Sequence, residues 1–276
     1  MHTTLNCNGK LISLKHPIVM GIINVNEDSF HPASRATSIS QILTKAEKML
    51  KDGALILDVG AMSSRPGAQI MEMDIELNSM IPAIQALCKE FPDTVVSVDT
   101  IRSKVAEFSV QAGATMVNDI SAGDFDPEMM QVIARLNVPY VMMHMQGLPA
   151  TMQQNPTYTD VLMDVLKYFV DKVHIAKQAG ISDILIDPGI GFGKTIEQNY
   201  ALLRHLEVLR VFDFPVLVGI SRKSLICKLL KISQEEALNG STALHMFALQ
   251  HGASVLRVHD VKEAIECVKL YQMLIE

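Results

Sequence analysis

No two cysteines in this chain are spaced as CxxC. Cys7, Cys88, Cys227 and Cys267 lie scattered along 276 residues, which argues against a zinc framework or disulfide scaffold and fits reduced, mostly buried thiols. No apolar run nears the ~20 residues needed to cross a bilayer. The N-terminus lacks the basic stretch and apolar core of a secretory signal. The expectation is a soluble, cytoplasmic protein with no membrane partner. Basic tracts are missing as well: 24 Lys and Arg against 30 Asp and Glu leave a formal charge of −6, so no nucleic-acid partner is expected. No Ser/Gly/Pro-rich linker, charge block or low-complexity segment divides the chain. His, Asp and Glu show no zinc spacing and no GxSxG elbow stands out, which leaves covalent catalysis little support.

What the chain does contain is eight short apolar runs, nearly all ending in a reactive polar residue. Pro17–Val25 leads into Asn24, Ala54–Val59 carries Asp58, Thr94–Val98 precedes Asp99, and Ala114–Val117 precedes Asn118. Val138–Met143 precedes His144, Ile184–Ile186 precedes Asp187, Pro215–Ile220 precedes Ser221-Arg222-Lys223, and Ala253–Leu256 precedes Arg257 and His259. Between them lie helical stripes, as in Ile39, Ile42, Leu43, Ala46, Met49 and Leu50, spaced by threes and fours from Ser38 onward. A glycine closes several helices just before the next run: Gly53, Gly113, Gly180 and Gly252. The runs are nearly continuous in Val, Ile, Leu and Met, as parallel strands buried on both faces are. The fold expected is α/β, a (β/α)8 TIM barrel forming one domain over 1–276, with the barrel over about 17–276. Leu5–Leu14, turning at Asn8-Gly9, reads as a β-hairpin across the bottom. Long connections over Asn26–Ser38, Gly60–Asp74 and Gln146–Pro156 follow the first, second and fifth strands, where functional loops sit.

If the strands are parallel, their polar ends meet on one rim. Asp99 and Asp187 would then face Asn118, Lys223 and Arg257, a donor and acceptor set suited to a flat pterin or purine. Asp58 is expected to cap the following helix or anchor a loop, standing behind the residues that meet a ligand. His144 reads as a core or supporting group. The run Asp187-Pro-Gly-Ile-Gly-Phe-Gly-Lys-Thr195 fails the Walker spacing, because Pro188 stands where glycine is needed. Its alternate glycines suggest instead a backbone held close to a ligand, with Phe192 available to cover an aromatic ring. The loops after the seventh and eighth strands bring Arg222, Lys223, Arg257 and His259, at the place where barrels commonly hold phosphate. Arg222 is expected to pair with nearby acids.

These residues resemble the dihydropteroate synthase family from about Pro17 to the C-terminus. The stretches that carry the resemblance are Met20-Gly-Ile-Ile-Asn-Val25, Asp28-Ser-Phe30, Asp58-Val-Gly60, Ser64-Arg-Pro-Gly-Ala68 and Ser97-Val-Asp-Thr100. They continue as Asn118-Asp-Ile120, Met143-His-Met-Gln-Gly147, Asp187 to Lys194, Ser221-Arg-Lys-Ser224 and Arg257-Val-His-Asp260. The resemblance implies condensation of (7,8-dihydropterin-6-yl)methyl diphosphate with 4-aminobenzoate in folate synthesis. It implies that Asp99, Asn118, Met143, Asp187, Phe192 and Lys223 hold the pterin. Asn24, Ser64, Arg65, Arg257 and His259 would hold the diphosphate, Asn24 through Mg2+. Phe30, Pro66 and Ser224 would border the 4-aminobenzoate, and Asp28, Arg65 and Lys223 would be the catalytic set. A homodimer is likewise implied.

The chain departs from the family's usual pattern in two loops. Asn26-Glu27 stands where Thr-Pro is usual, and Ala61-Met62 where Gly-Glu is common. An altered response to sulfonamide-type mimics of 4-aminobenzoate is the expected consequence. Two rival readings share the pterin set: a methyltransferase domain that passes a methyl group from methyltetrahydrofolate to a corrinoid protein, and an inactive pterin-binding paralogue. The first needs neither the diphosphate cations nor Ser221-Arg-Lys-Ser224.

Overall fold

Each of the eight apolar runs forms a strand, and the strands close on themselves in sequence order. The computed structural model describes residues 4–25, 32–61, 71–148 and 151–275, with backbone alone over 32–37. An antiparallel pair comes first, β1 (Thr4–Cys7) and β2 (Lys10–Ser13), joined at Asn8 and Gly9. Both turn residues have positive φ, 53° and 87°, the backbone a two-residue hairpin turn requires. The barrel strands are β3 (Ile18–Asn24), β4 (Ile56–Gly60), β5 (Val95–Asp99), β6 (Met116–Asp119), β7 (Tyr140–Met143), β8 (Ile184–Asp187), β9 (Val216–Val218) and β10 (Ala253–Val258). All neighbours are parallel, and β10 returns to pair with β3.

Helices α1 (Pro32–Lys51), α2 (Met73–Glu90), α3 (Ser103–Gln111), α4 (Met129–Leu136), α5 (Val161–Ala179), α6 (Ile196–Arg204), α7 (Ser224–Leu230), α8 (Leu238–Gln250) and α9 (Val261–Ile275) fill the connections. The chain is already helical at Pro32, well before the stripe that begins at Ser38. Proline suits a first helical turn, where its missing N–H has no partner to lose. The junction glycines Gly53, Gly113, Gly180 and Gly252 all have positive φ, as the sequence pattern implied.

Strand side chains alternate between two destinations. One set packs outward against the helices in a large core that includes Val19, Leu57, Val96 and Val117. The other set points inward, and every barrel strand contributes to it: Met20, Ile56, Val95, Met116, Val141, Leu185, Leu217 and Val255 form one buried cluster. Leu5, Cys7, Ile12 and Leu14 of the hairpin join this cluster from below. The hairpin thus closes the bottom of the barrel. Lys10 fixes it further, its Nζ donating to the carbonyl oxygens of Pro92 and Thr94.

Candidate active site

Two residues farther along, the inward positions of β4, β5, β6, β8 and β10 change from apolar to polar, while that of β7 stays apolar. Ile56 is followed at this spacing by Asp58, Val95 by Ser97 and then Asp99, and Met116 by Asn118. Leu185 is followed by Asp187, Val141 by Met143, and Val255 by Arg257. The register sets these groups at shared levels: Asn24 lies opposite Gly60, Gly60 opposite Asp99, and Asp99 opposite Asn118. Met143 lies opposite Asp187. A Cβ on Gly60 would sit 3.2 Å from the Asp99 Cβ, so the bare glycine leaves room for that carboxylate.

Arg257 occupies the centre. Its Nε donates to Asp58 Oδ2 at 2.6 Å and its Nη2 to Asp99 Oδ2 at 2.6 Å. Asn118 Nδ2 donates to the same Asp58 oxygen at 3.0 Å. Asp58 is fully buried and does not cap a helix or anchor a loop as its sequence position suggested; its place on the inward face turns it toward Arg257. Its Oδ1 is buried and has no hydrogen-bond partner among the described residues. Burial pushes Asp99 up to about 7; Arg257 holds it down, while Asp58, Asp119 and Glu76 push it further up. Burial alone would lower the pKa of Arg257, but Asp58 and Asp99 more than offset that. Removing either partner of such a cluster would strand a buried charge.

Asp187, Lys223 and the glycine loop between them form the facing wall. Burial raises the Asp187 pKa, opposed by Lys223, the Gly189 N–H, Arg257 and Lys194. Gly189 N donates to Asp187 Oδ1 at 2.7 Å. Lys223 Nζ donates to the Ile190 carbonyl oxygen at 2.5 Å and lies 4.4 Å from the centre of the Phe192 ring, a cation–π distance. Burial pulls Lys223 down to about 8; Asp187 supports its charge, Arg257 lowers it and Asp99 supports it again. Phe192 and Met143 pack with Ile101, Ile120 and Met152 in a small apolar cluster under this wall. Ser224 starts α7 beside Lys223 and is exposed. It lines, with Gly191, Lys194 and Asn199, a cavity of about 170 Å3.

Asn24 ends β3 and is exposed. His259 lies just past β10, its backbone N donating to Ser221 Oγ at 3.3 Å. Arg222 pairs with Asp260 through Nε and Nη2 at 2.8 and 3.0 Å, as its surface reading implied. His144 points away from the mouth, its ring edge-on to Tyr168 at 4.9 Å, and burial pushes it down to about 3. It is a neutral packing group. Asp28, Phe30, Ser64, Arg65 and Pro66 lie outside the described residues. The structure therefore brings Asp99, Asn118, Asp187, Lys223 and Arg257 to one mouth. Sequence reasoning missed the direct engagement of Asp58, which an inward-position count from Ile56 would have found. It also missed Lys194, the lysine of the rejected phosphate-loop pattern.

A family model described as pterin binding enzyme matches residues 20–259. The dihydropteroate synthase of Escherichia coli strain K12 is 40% identical over 270 residues, covering 97% of this chain and 95% of that protein. The Yersinia pestis dihydropteroate synthase, solved in a sulfonamide drug complex, superposes with a TM-score of 0.92 at 38% identity, covering 98% of each chain. The Xanthomonas albilineans dihydropteroate synthase, solved with 4-aminobenzoic acid, gives 0.91 at 38% identity, covering 99% of this chain and 98% of that one.

Proposed function

The chain belongs to the pterin binding enzyme family, and we propose how its rim carries out the dihydropteroate synthase reaction of folate biosynthesis. The substrates are (7,8-dihydropterin-6-yl)methyl diphosphate and 4-aminobenzoate; the products are 7,8-dihydropteroate and diphosphate. Asp187, Asn118 and Asp99 grip the edge of the pterin ring, with Met143 and Phe192 as apolar contacts and Lys223 at its side. The observation that carries this reading is the convergence of Arg257, Asp58, Asp99 and Asn118 on one bonded cluster facing Asp187 and Lys223. Acidic and amide groups match a ring edge rich in N–H donors; Arg257 and His259 match the anion beside it.

In the reaction the bond from methylene carbon to diphosphate oxygen breaks, and the carbon left behind is conjugated with the electron-rich dihydropterin. The arylamine nitrogen then forms the new C–N bond and its extra proton passes to solvent. Cations at the diphosphate stabilise charge as it develops, where loss of one preorganised group costs about 10²–10³ in rate. Asp28 would stabilise the carbocation, and Ser64 and Arg65 would reach the diphosphate from their loop. Phe30, Pro66 and Ser224 would border the 4-aminobenzoate. No protein nucleophile is required.

Asn24 would hold Mg2+. No group of three or more His, Cys, Asp or Glu residues suited to a metal lies among the described residues. One exposed amide oxygen at the end of β3 nonetheless fits an ion that keeps its waters and takes the remaining ligands from substrate phosphates. Bound there, the ion would neutralise diphosphate charge. A homodimer is proposed on the exposed Leu270, Met273, Leu274 and Ile275 of α9, and a cytoplasmic location on the family's biosynthetic role; no helix among the described residues is long and apolar enough to cross a membrane.

The reaction is tested by incubating the protein with the pterin diphosphate, 4-aminobenzoate and Mg2+ and measuring diphosphate. Release that requires the amine is expected. Release at the same rate without amine, or none at all, would overturn the reading and favour the inactive pterin binder.

A further inference from the structure

Lys194 is one of the largest fully enclosed side chains in the molecule, with 2% of its surface exposed. A lysine so placed must satisfy three N–H donors and a charge. Its Nζ donates to the carbonyl oxygens of Gly189 at 3.0 Å, Phe192 at 3.0 Å and His144 at 3.3 Å. Two of these acceptors belong to the glycine loop after β8, and the third, His144, directly follows β7. The ammonium therefore fastens the loop to the neighbouring strand's end.

Other contacts show why a fastener is needed there. Gly189 has φ +67°, and a Cβ on it would stand 1.9 Å from the His144 carbonyl oxygen. The loop thus presses its backbone against the segment after β7. Gln153 Nε2 donates to the Gly191 carbonyl oxygen and Tyr158 OH to that of Gly193, both at 2.8 Å. Asn199 of α6 accepts from Gly191 N at 2.6 Å and donates to the Lys194 carbonyl oxygen at 3.3 Å. Among these tethers only Lys194 carries charge, and its charge acts on Asp187.

We propose that Lys194 is a positioning residue for the pterin-gripping acid. Its ammonium holds the glycine loop in the shape that aims Asp187, and supplies positive charge that keeps this carboxylate ionised when the ring binds. The inference rests on the pterin-binding reading of the mouth. The charged or titratable groups facing Asp187 are Lys194 from its own loop, Lys223 from the start of α7 and Arg257 from β10, with the Gly189 N–H donating directly. Arg257 is shared with Asp58 and Asp99, and His144 from β7 is neutral. Lys194 is thus a cation near Asp187 that forms no ion pair within 4.0 Å with any carboxylate among the described residues. Burial pulls Lys194 down to about 7, so its charge is complete on the acid side, where Asp187 is at risk of protonation.

The test is dihydropterin affinity between pH 4.5 and 8.5, measured by calorimetry with 6-hydroxymethyl-7,8-dihydropterin. The proteins are the native chain, Lys194→Met and Lys194→Arg. In the native protein affinity falls as the pH drops through the Asp187 titration. In Lys194→Met this fall is expected at higher pH, so that binding on the limb is weakened by about two- to threefold or more relative to the native protein, with convergence at pH 8.5. Lys194→Arg should keep the native limb. Lys194→Gln, neutral but still able to donate, replaces the methionine variant if that does not fold. A uniform loss at every pH would mean the side chain is structural only, and an unmoved limb would likewise overturn the proposal. No dihydropterin binding by the native protein would instead sink the reading of the mouth.

Discussion

Lys223 holds its charge by a narrow margin. Burial works against the ammonium, Asp187 supports it, and the balance leaves it at about 8. A lysine is charged below its pKa, so the ring-side cation is complete under acid and neutral conditions and fades above pH 8. The rate constant kcat/KM for the pterin diphosphate should therefore decline on the alkaline side with a midpoint near 8. Lys223→Arg should remove that limb, since guanidinium does not titrate there, while lowering the plateau because it cannot reproduce the contact with the Ile190 carbonyl. A pH–rate profile whose alkaline limb stays put in the variant would assign it to another group. The meeting of Asp99, Asn118 and Asp187 at one mouth was legible because a polar group ending a doubly buried strand has few other places to go. Asp58 and Lys194 were not. A contact across a barrel depends on register and radius, neither of which one strand's sequence records. Once the phosphate-loop spacing fails at Pro188, nothing in the sequence shows that the lysine after the three glycines is buried.

At the scale of elements, strand identity was legible because both faces of each strand are buried. The boundaries moved by one or two residues, as in Ala54–Val59 against Ile56–Gly60, because an apolar run also covers the junction leading into its strand. The hairpin was legible from Asn8-Gly9 and its alternating flanks. What the pattern did not disclose is that its inward side chains complete the inner core. Leu5 is 1% exposed and packs with the inward floor residues of the barrel strands. Leu5→Ala should cost about 2–5 kcal/mol, read as a lower midpoint in urea unfolding with little change in slope. A loss under about 1 kcal/mol would show that the hairpin is only loosely docked. The loops after β3 and β4 were visible in sequence as motif-bearing, yet Asp28 and Arg65 lie outside the described residues, so their part stays with the family resemblance.

For the whole molecule, the exposed apolar residues of α9 bear on assembly. Leu270, Met273 and Leu274 recur at three- and four-residue steps, a stripe of the kind that another surface covers. Light scattering on the eluting protein should give twice the 30.4 kDa of one chain. A species of single-chain mass at micromolar concentration would remove the dimer from the proposal. The barrel itself is sealed below by the hairpin and filled above it by side chains from every strand. Among the described residues it therefore opens at the rim above that packing. Whatever settles against Asn118 and Asp187 must enter before anything stacked nearer the rim and depart after it, so traffic through this mouth runs in file, last in and first out.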